Sequence, residues 1–167
     1  MVAFAAIDFE TANIYRHSAC AIGVTIVDRQ RIISSDAYLI RPTSKWFKFT
    51  DIHGLTWDDV RDAPEFDEIW SELLPEIKHV DFLAAHNASF DRGVLSACCD
   101  YYSVRKFRKD FVCTMSLARN QWSIYPTRLP DVCSELNINL NHHEAGSDAR
   151  ACAKIVIHAQ KNGWSFR

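Results

Sequence analysis

Residues 3 to 9, Ala-Phe-Ala-Ala-Ile-Asp-Phe, form a nearly continuous apolar run that carries one carboxylate near its end. A strand without polar alternation has both faces covered, so this run predicts a central strand in a sheet with helices on either side. Asp8 and Glu10 then end a buried strand. Residues i and i+2 of a strand share a face with Cα atoms about 7 Å apart, so the two carboxylates can flank one cation. Residues 19 to 27 and 31 to 40 read as two more strands around the polar Asp28-Arg29-Gln30, which predicts an antiparallel meander with the first.

Helical periodicity follows. Phe66, Ile69, Trp70, Leu73, Leu74 and Ile77 keep the i, i+3, i+4, i+7 spacing of an amphipathic helix, with Pro64 near its start. Residues 80 to 85 read as a buried fourth strand, and a helix from about residue 88 has an inward stripe of Val94, Leu95 and Cys98. Asp91 shares that stripe, where an unpaired charge would be costly. Residues 110 to 114 read as a short fifth strand; residues 117 to 122, 129 to 136 and 147 to 160 read as helices. Asp148 lies in the first turn of the last one, in line with Cys152 and Ile155, and so also faces inward. The whole pattern predicts one α/β domain over residues 1 to 167, a mixed five-stranded sheet flanked by helices.

Composition narrows the function. A chain of 167 residues with 48% apolar and 24% charged content can bury a real core as one domain. Its net charge of -2 gives no global basic field, so contact with a polyanion must rest on local Lys/Arg clusters or on bound cations. The six cysteines show no CxxC spacing and sit in apolar surroundings, which predicts free buried thiols in a reducing compartment rather than a zinc site. No apolar run approaches the ~20 residues of a membrane helix, and no basic leader precedes the first strand, so the expectation is a soluble cytoplasmic protein.

Asp8, Glu10, Asp91 and Asp148 come from three separated segments, with His142 and His143 close to the last. Two carboxylates at ~4 Å repel by about 4 kcal/mol at an effective dielectric of 20, so such a cluster must either protonate or hold divalent metal. A pair of ions about 3.5 to 4 Å apart is a recurrent solution to in-line attack at phosphorus, and a histidine can take the proton from the attacking water. Local spacing leaves His142 and His143 equal candidates for that base. Each acid alone has a plainer reading as a helix-terminus charge or a paired core acid. Glu65-Phe66-Asp67, a second acid-x-acid pair, reads as a favourable first turn of a helix.

In order and spacing these segments resemble the DEDDh 3′→5′ exonucleases of the DnaQ-like superfamily, which includes the epsilon proofreading subunit of bacterial DNA polymerase III. The family's Asp-x-Glu matches Asp8 and Glu10, its second acid matches Asp91, and its His-x-x-x-x-Asp matches His143 and Asp148, which selects His143 over His142 as the base. Accessory matches are Ile52-His53-Gly54-Leu55-Thr56, Val112-Cys113-Thr114 and Leu117-Ala118-Arg119. The resemblance implies a ribonuclease H-like fold and two Mg²⁺ or Mn²⁺ ions held by Asp8, Glu10, Asp91 and Asp148. It implies release of nucleoside 5′-monophosphates from 3′ ends of single-stranded or frayed nucleic acid, DNA ahead of RNA, as in DNA repair. Phe9 and Thr11 would hold the terminal nucleotide, His53 and Leu55 would line the terminal-base pocket, and Asn87 of the second motif would contact substrate. The first motif continues Thr11-Ala12-Asn13 where the polymerase subunit usually has Thr-Thr-Gly, and nothing after residue 167 offers a polymerase-binding tail, so dedicated proofreading is not expected. Polymerase association and oligomeric state stay open at this stage.

Two rival readings accompany this one: an exoribonuclease acting on RNA ends or short oligomers, and a non-catalytic module that binds nucleic-acid ends. Lys45-Trp46-Phe47-Lys48-Phe49 reads either as a stacking platform for single strands or as a packed loop. Arg105, Lys106, Arg108 and Lys109, the densest basic cluster, read as a solvated turn that could also track phosphates.

Overall fold

The computed structural model describes residues 2–167, and its centre is the expected strand. β1 (Phe4–Thr11), β2 (Ala19–Asp28) and β3 (Arg31–Leu39) form an antiparallel meander, and β4 (Phe82–Ala85) and β5 (Asp110–Cys113) add in parallel on the other side of β1. The sheet order is β3-β2-β1-β4-β5. Arg29 and Gln30 make the two-residue turn between β2 and β3 with φ of 49° and 62°. Positive φ at both positions matches the twist of the strands it joins, here without a glycine. β1 runs past the expected end to Thr11, so Asp8 and Glu10 lie inside the strand, paired with Gly23 and Ala21 of β2.

Seven helices complete the described chain: α1 (Thr50–His53), α2 (Trp57–Val60), α3 (Phe66–Ile77), α4 (Ala88–Tyr101), α5 (Thr114–Trp122), α6 (Leu129–Glu135) and α7 (Ala145–Lys161). The first two were not anticipated, because four residues are too few to show periodicity. Glu65 caps α3, its N–H donating to Glu68 Oε2 at 2.9 Å, so the acid-x-acid pair there is a helix start.

Alternation along β1 decides what meets what. Ala5, Ile7 and Phe9 face one layer, where Phe66, Ile69, Trp70, Leu73 and Ile77 of α3 and Val94, Leu95 and Cys98 of α4 form the core. Phe4 and Ala6 face the other, built from α5, α6 and α7. Asp8 and Glu10 continue the second set, so they point toward the layer that contains α7. All six cysteines are free, five of them buried. Among the described residues no helix is long and apolar enough to cross a membrane.

Candidate active site

The site forms where β1 passes beneath the start of α7. Asp8 pairs with Gly23, and a Cβ on Gly23 would lie 1.9 Å from the Ala145 carbonyl oxygen and 2.8 Å from the Gly146 nitrogen. Only a residue without a side chain lets α7 come this close to the sheet. Asp148 follows three residues later and is 3% exposed. Oxygens of Asp8, Glu10 and Asp148 consequently lie within 4.8 Å of one another.

Asp91 reaches the same place from α4. The β1–β4 ladder ends at the Ala6/Ala84 pair, and beyond it the Phe9 N–H donates to Asp91 Oδ1 at 2.9 Å. Asp91 is 1% exposed and stands just outside the close trio, yet near enough to act on it electrostatically.

Burial and mutual repulsion hold these acids above their usual range. Burial raises Asp8 well above an ordinary aspartate, with Asp91, Asp148 and Glu10 adding to the effect. Burial, then Asp148 and Asp91, push Glu10 up to about 8. Burial pushes Asp91 up to about 7 against the opposing bond from the Phe9 N–H. Asp148 is raised by burial, opposed by the two histidines. Among the described residues no Lys or Arg pairs with any of the four. Asp148 Oδ1 is buried and has no hydrogen-bond partner among the described residues. A converging set of oxygens, one of them unsatisfied and none neutralised by a lysine or arginine, fits a hard divalent cation.

The loop before α7 presents both histidines. His143 adopts φ 68°, and its N–H donates to Asp148 Oδ2 at 3.1 Å. The same oxygen bonds His142 Nδ1 at 2.8 Å. The two rings stack at 3.7 Å and are exposed. Among the described residues the ring nitrogens of His143 make no hydrogen bond, and burial together with His142 lowers its pKa, so it is neutral near pH 7. Both rings border, with Glu10, His53 and Leu55, a cleft of about 630 Å³.

The residues expected to touch substrate scatter into three kinds of place. His53 and Leu55 line this cleft; the Leu55 N–H donates to His53 Nδ1 at 3.1 Å, and His53 Nε2 lies 3.1 Å from the Thr11 carbonyl oxygen, which fixes a neutral ring with its proton on Nε2. Thr11 is buried and supplies that carbonyl. The Phe9 side chain is 3% exposed and packs on Phe66 in the core, so only its backbone reaches the site. Asn87 is exposed at the N-terminus of α4 with φ 63°. The segment from Lys45 to Phe49 is pinned just beyond the end of β1 through Lys48 and Phe49 N–H bonds to the Ala12 carbonyl, and Phe47 packs inward while Trp46 stays exposed. It is a packed loop with one exposed ring, which meets Tyr15 edge-on at 6.2 Å.

Sequence reading missed two positions. Gly23 carries a readable signal, an interior glycine in an apolar strand, but its partner α7 lies more than 120 residues away. His86 bonds Thr114 Oγ1 through Nδ1 at 2.8 Å and the Thr127 carbonyl through Nε2 at 2.9 Å, tying the end of β4 to α5 and to the loop before α6. Burial lowers its pKa to about 4, so it is a neutral strut.

Comparison with known proteins bears on the family and the fold. A family model described as "Exonuclease" matches residues 5–156. Exodeoxyribonuclease 10 of Escherichia coli K12 is 28% identical over 169 residues, covering 95% of this chain and 70% of that protein. The PolC-type DNA polymerase III of Oceanobacillus iheyensis is 34% identical over 136 residues, 80% of this chain, but the match spans only 9% of that much longer protein. Among solved structures, exonuclease X in complex with 5′-overhanging duplex DNA superposes with a TM-score of 0.79 at 24% identity, covering 97% of this chain and 94% of that one. The nuclease domain of 3'hExo, a DEDDh family member bound to rAMP, gives 0.85 at 17% identity, covering 99% and 94%. The fold is therefore the ribonuclease H-like fold of DEDDh exonucleases.

Proposed function

The chain belongs to the exonuclease family, and on that premise we propose that it is a metal-dependent 3′→5′ exonuclease releasing nucleoside 5′-monophosphates from single-stranded or frayed ends, DNA ahead of RNA. The observation that carries the reading is the convergence of Asp8, Glu10 and Asp148 within 4.8 Å, with a buried unpartnered oxygen on Asp148 and Asp91 alongside. A binding module has no use for three acids held this close with a fourth alongside. The DNA preference rests on the 28% identical exodeoxyribonuclease, which this chain matches over 95% of its own length.

Asp8, Glu10, Asp91 and Asp148 would hold two Mg²⁺ or Mn²⁺ ions. When bound, such ions lower the pKa of a coordinated water and stabilise charge on the leaving oxygen. The chain's own residues do the rest. His143, neutral and with free ring nitrogens, takes a proton from the attacking water. His142 stays on Asp148 Oδ2 and keeps the loop over the carboxylates. His53 and Leu55 border the space in which a terminal base would sit.

End-labelled DNA and RNA of equal sequence, incubated with Mn²⁺ or with chelator, test the proposal. The expected result is stepwise mononucleotide release from the 3′ end with metal, none with chelator, faster on DNA, and abolished by Asp8→Asn. His143→Asn should lower kcat by about a hundredfold or more, the usual contribution of a general base, and His142→Asn by less. Release that persists in chelator or in Asp8→Asn protein sinks the assignment. Faster release from RNA would turn it toward the exoribonuclease reading.

A further inference from the structure

Away from the acidic site, positive charge collects on one surface. Two adjoining hollows share Lys106, Phe107 and Arg108 as walls; Lys78 and Arg105 complete the first, and Arg92 and Lys109 border the second. The chain as a whole is acidic, so this is a local inversion of its field. Lys106 pairs with Asp100 at 2.8 Å, and Asp110 is the one acid in the walls. Among the described residues Lys78, Arg92, Arg105, Arg108 and Lys109 have no carboxylate partner. A surface turn whose charges served only solubility would be expected to intersperse both signs.

Position gives the cluster a direction. Arg92 follows Asp91 directly but faces out, its guanidinium 5.1 Å from the Phe111 ring centroid. From there the cations continue to the loop after α4, a helix of 14 residues and hence about 21 Å long. Phe107 is anchored edge-on against Trp70, which gives the loop a rigid foot between Lys106 and Arg108. Cations alternating with ring faces along a groove are what a single strand needs, since its phosphates seek charge and its bases seek flat apolar surface.

We propose that this cleft is an accessory track for the phosphodiester backbone of a single-stranded nucleic acid, holding the body of a strand whose end lies in the acidic site. The role assigned to the track rests on the nuclease reading, but its affinity for a strand does not. An acidic protein segment would satisfy the charge but not the continuity with the turn that carries Asp91.

Fluorescence anisotropy with a labelled DNA strand of about 20 nucleotides, in chelator so that nothing is cut, measures strand binding apart from cleavage, and variants of the cleft isolate its share. Arg105→Ser combined with Arg108→Ser should weaken binding about tenfold at low salt and reduce the slope of log K against log salt by about 1.4, because each lost phosphate contact on a single strand removes about 0.7. The Arg105→Lys, Arg108→Lys pair should keep the wild-type slope. Both side chains are exposed, so an unchanged melting midpoint will show that the fold is intact. Wild-type affinity and slope in the serine variant would overturn the proposal, as would failure of the wild type to bind the strand. Tighter binding of polyglutamate than of DNA would also overturn it and assign the cleft to an acidic protein. Absence of nucleotide release by wild type with metal would defeat the proposed activity alone, leaving strand binding by the cleft intact.

Discussion

Glu10 and Asp91 are pushed up to about 8 and about 7 in the fold, from 4.5 and 3.8 as ordinary carboxyls, and that shift makes the metal-free protein sensitive to pH. Below the ordinary values both groups are protonated in either state and their repulsion is absent. As pH rises through 7 and 8 the folded acids must ionise against one another, and the stability tied to their protonated forms is lost. The melting midpoint of chelated protein should therefore fall between about pH 5 and pH 9, and Mn²⁺ should raise it most at the alkaline end, where cations replace the missing protons. A midpoint that is flat in chelator across that range would contradict the clustering. At this scale the sequence singled out the acids that the fold gathers but not their order of closeness. Asp91 looked equal to the others, whereas the fold commits one of its oxygens to the Phe9 N–H. Phe9 looked like a substrate contact, whereas strand alternation turns its ring into the core.

Among the elements, the junction of β1, β2 and α7 sets where the acids meet. Gly23→Ala would drive a methyl group into the Ala145 carbonyl, and neither strand nor helix backbone can yield cheaply. Overpacking of this kind costs about 1–3 kcal/mol, and the relief available is to lift α7 and carry Asp148 away from Asp8. The variant should melt lower and lose most of its cleavage even well below its midpoint. Leu73→Ala, in the layer that faces away from α7, should cost about 2–5 kcal/mol and retain activity while folded. Differential scanning fluorimetry beside the end-release assay separates the two; equal activity per folded molecule in both would refute the positioning role. The strands and longer helices were readable because each repeats its signal over several residues. α1 and α2 span four residues each, and only the Thr56–Asp59 capping box marked the second.

Over the whole molecule, the sheet is the shared wall of two core layers, with the odd side chains of β1 in one and the even in the other. Neither layer can open without exposing β1, so the described residues should unfold as one unit. Calorimetric and circular-dichroism transitions should coincide, with van't Hoff and calorimetric enthalpies equal; two resolved transitions would show separable halves. Length, composition, the strands, the longer helices and the identity of the acids were determined by the sequence itself, because patterning and residue chemistry are local properties. What only the tertiary structure decided is the meeting of Asp8, Glu10 and Asp148 within 4.8 Å, the approach of α7 over Gly23, and the gathering of Lys78 and Arg92 with the loop cations. Those pairings join residues tens of positions apart, and their geometry depends on which face of the sheet each helix packs against, a choice made by the burial of the whole core and by no single segment.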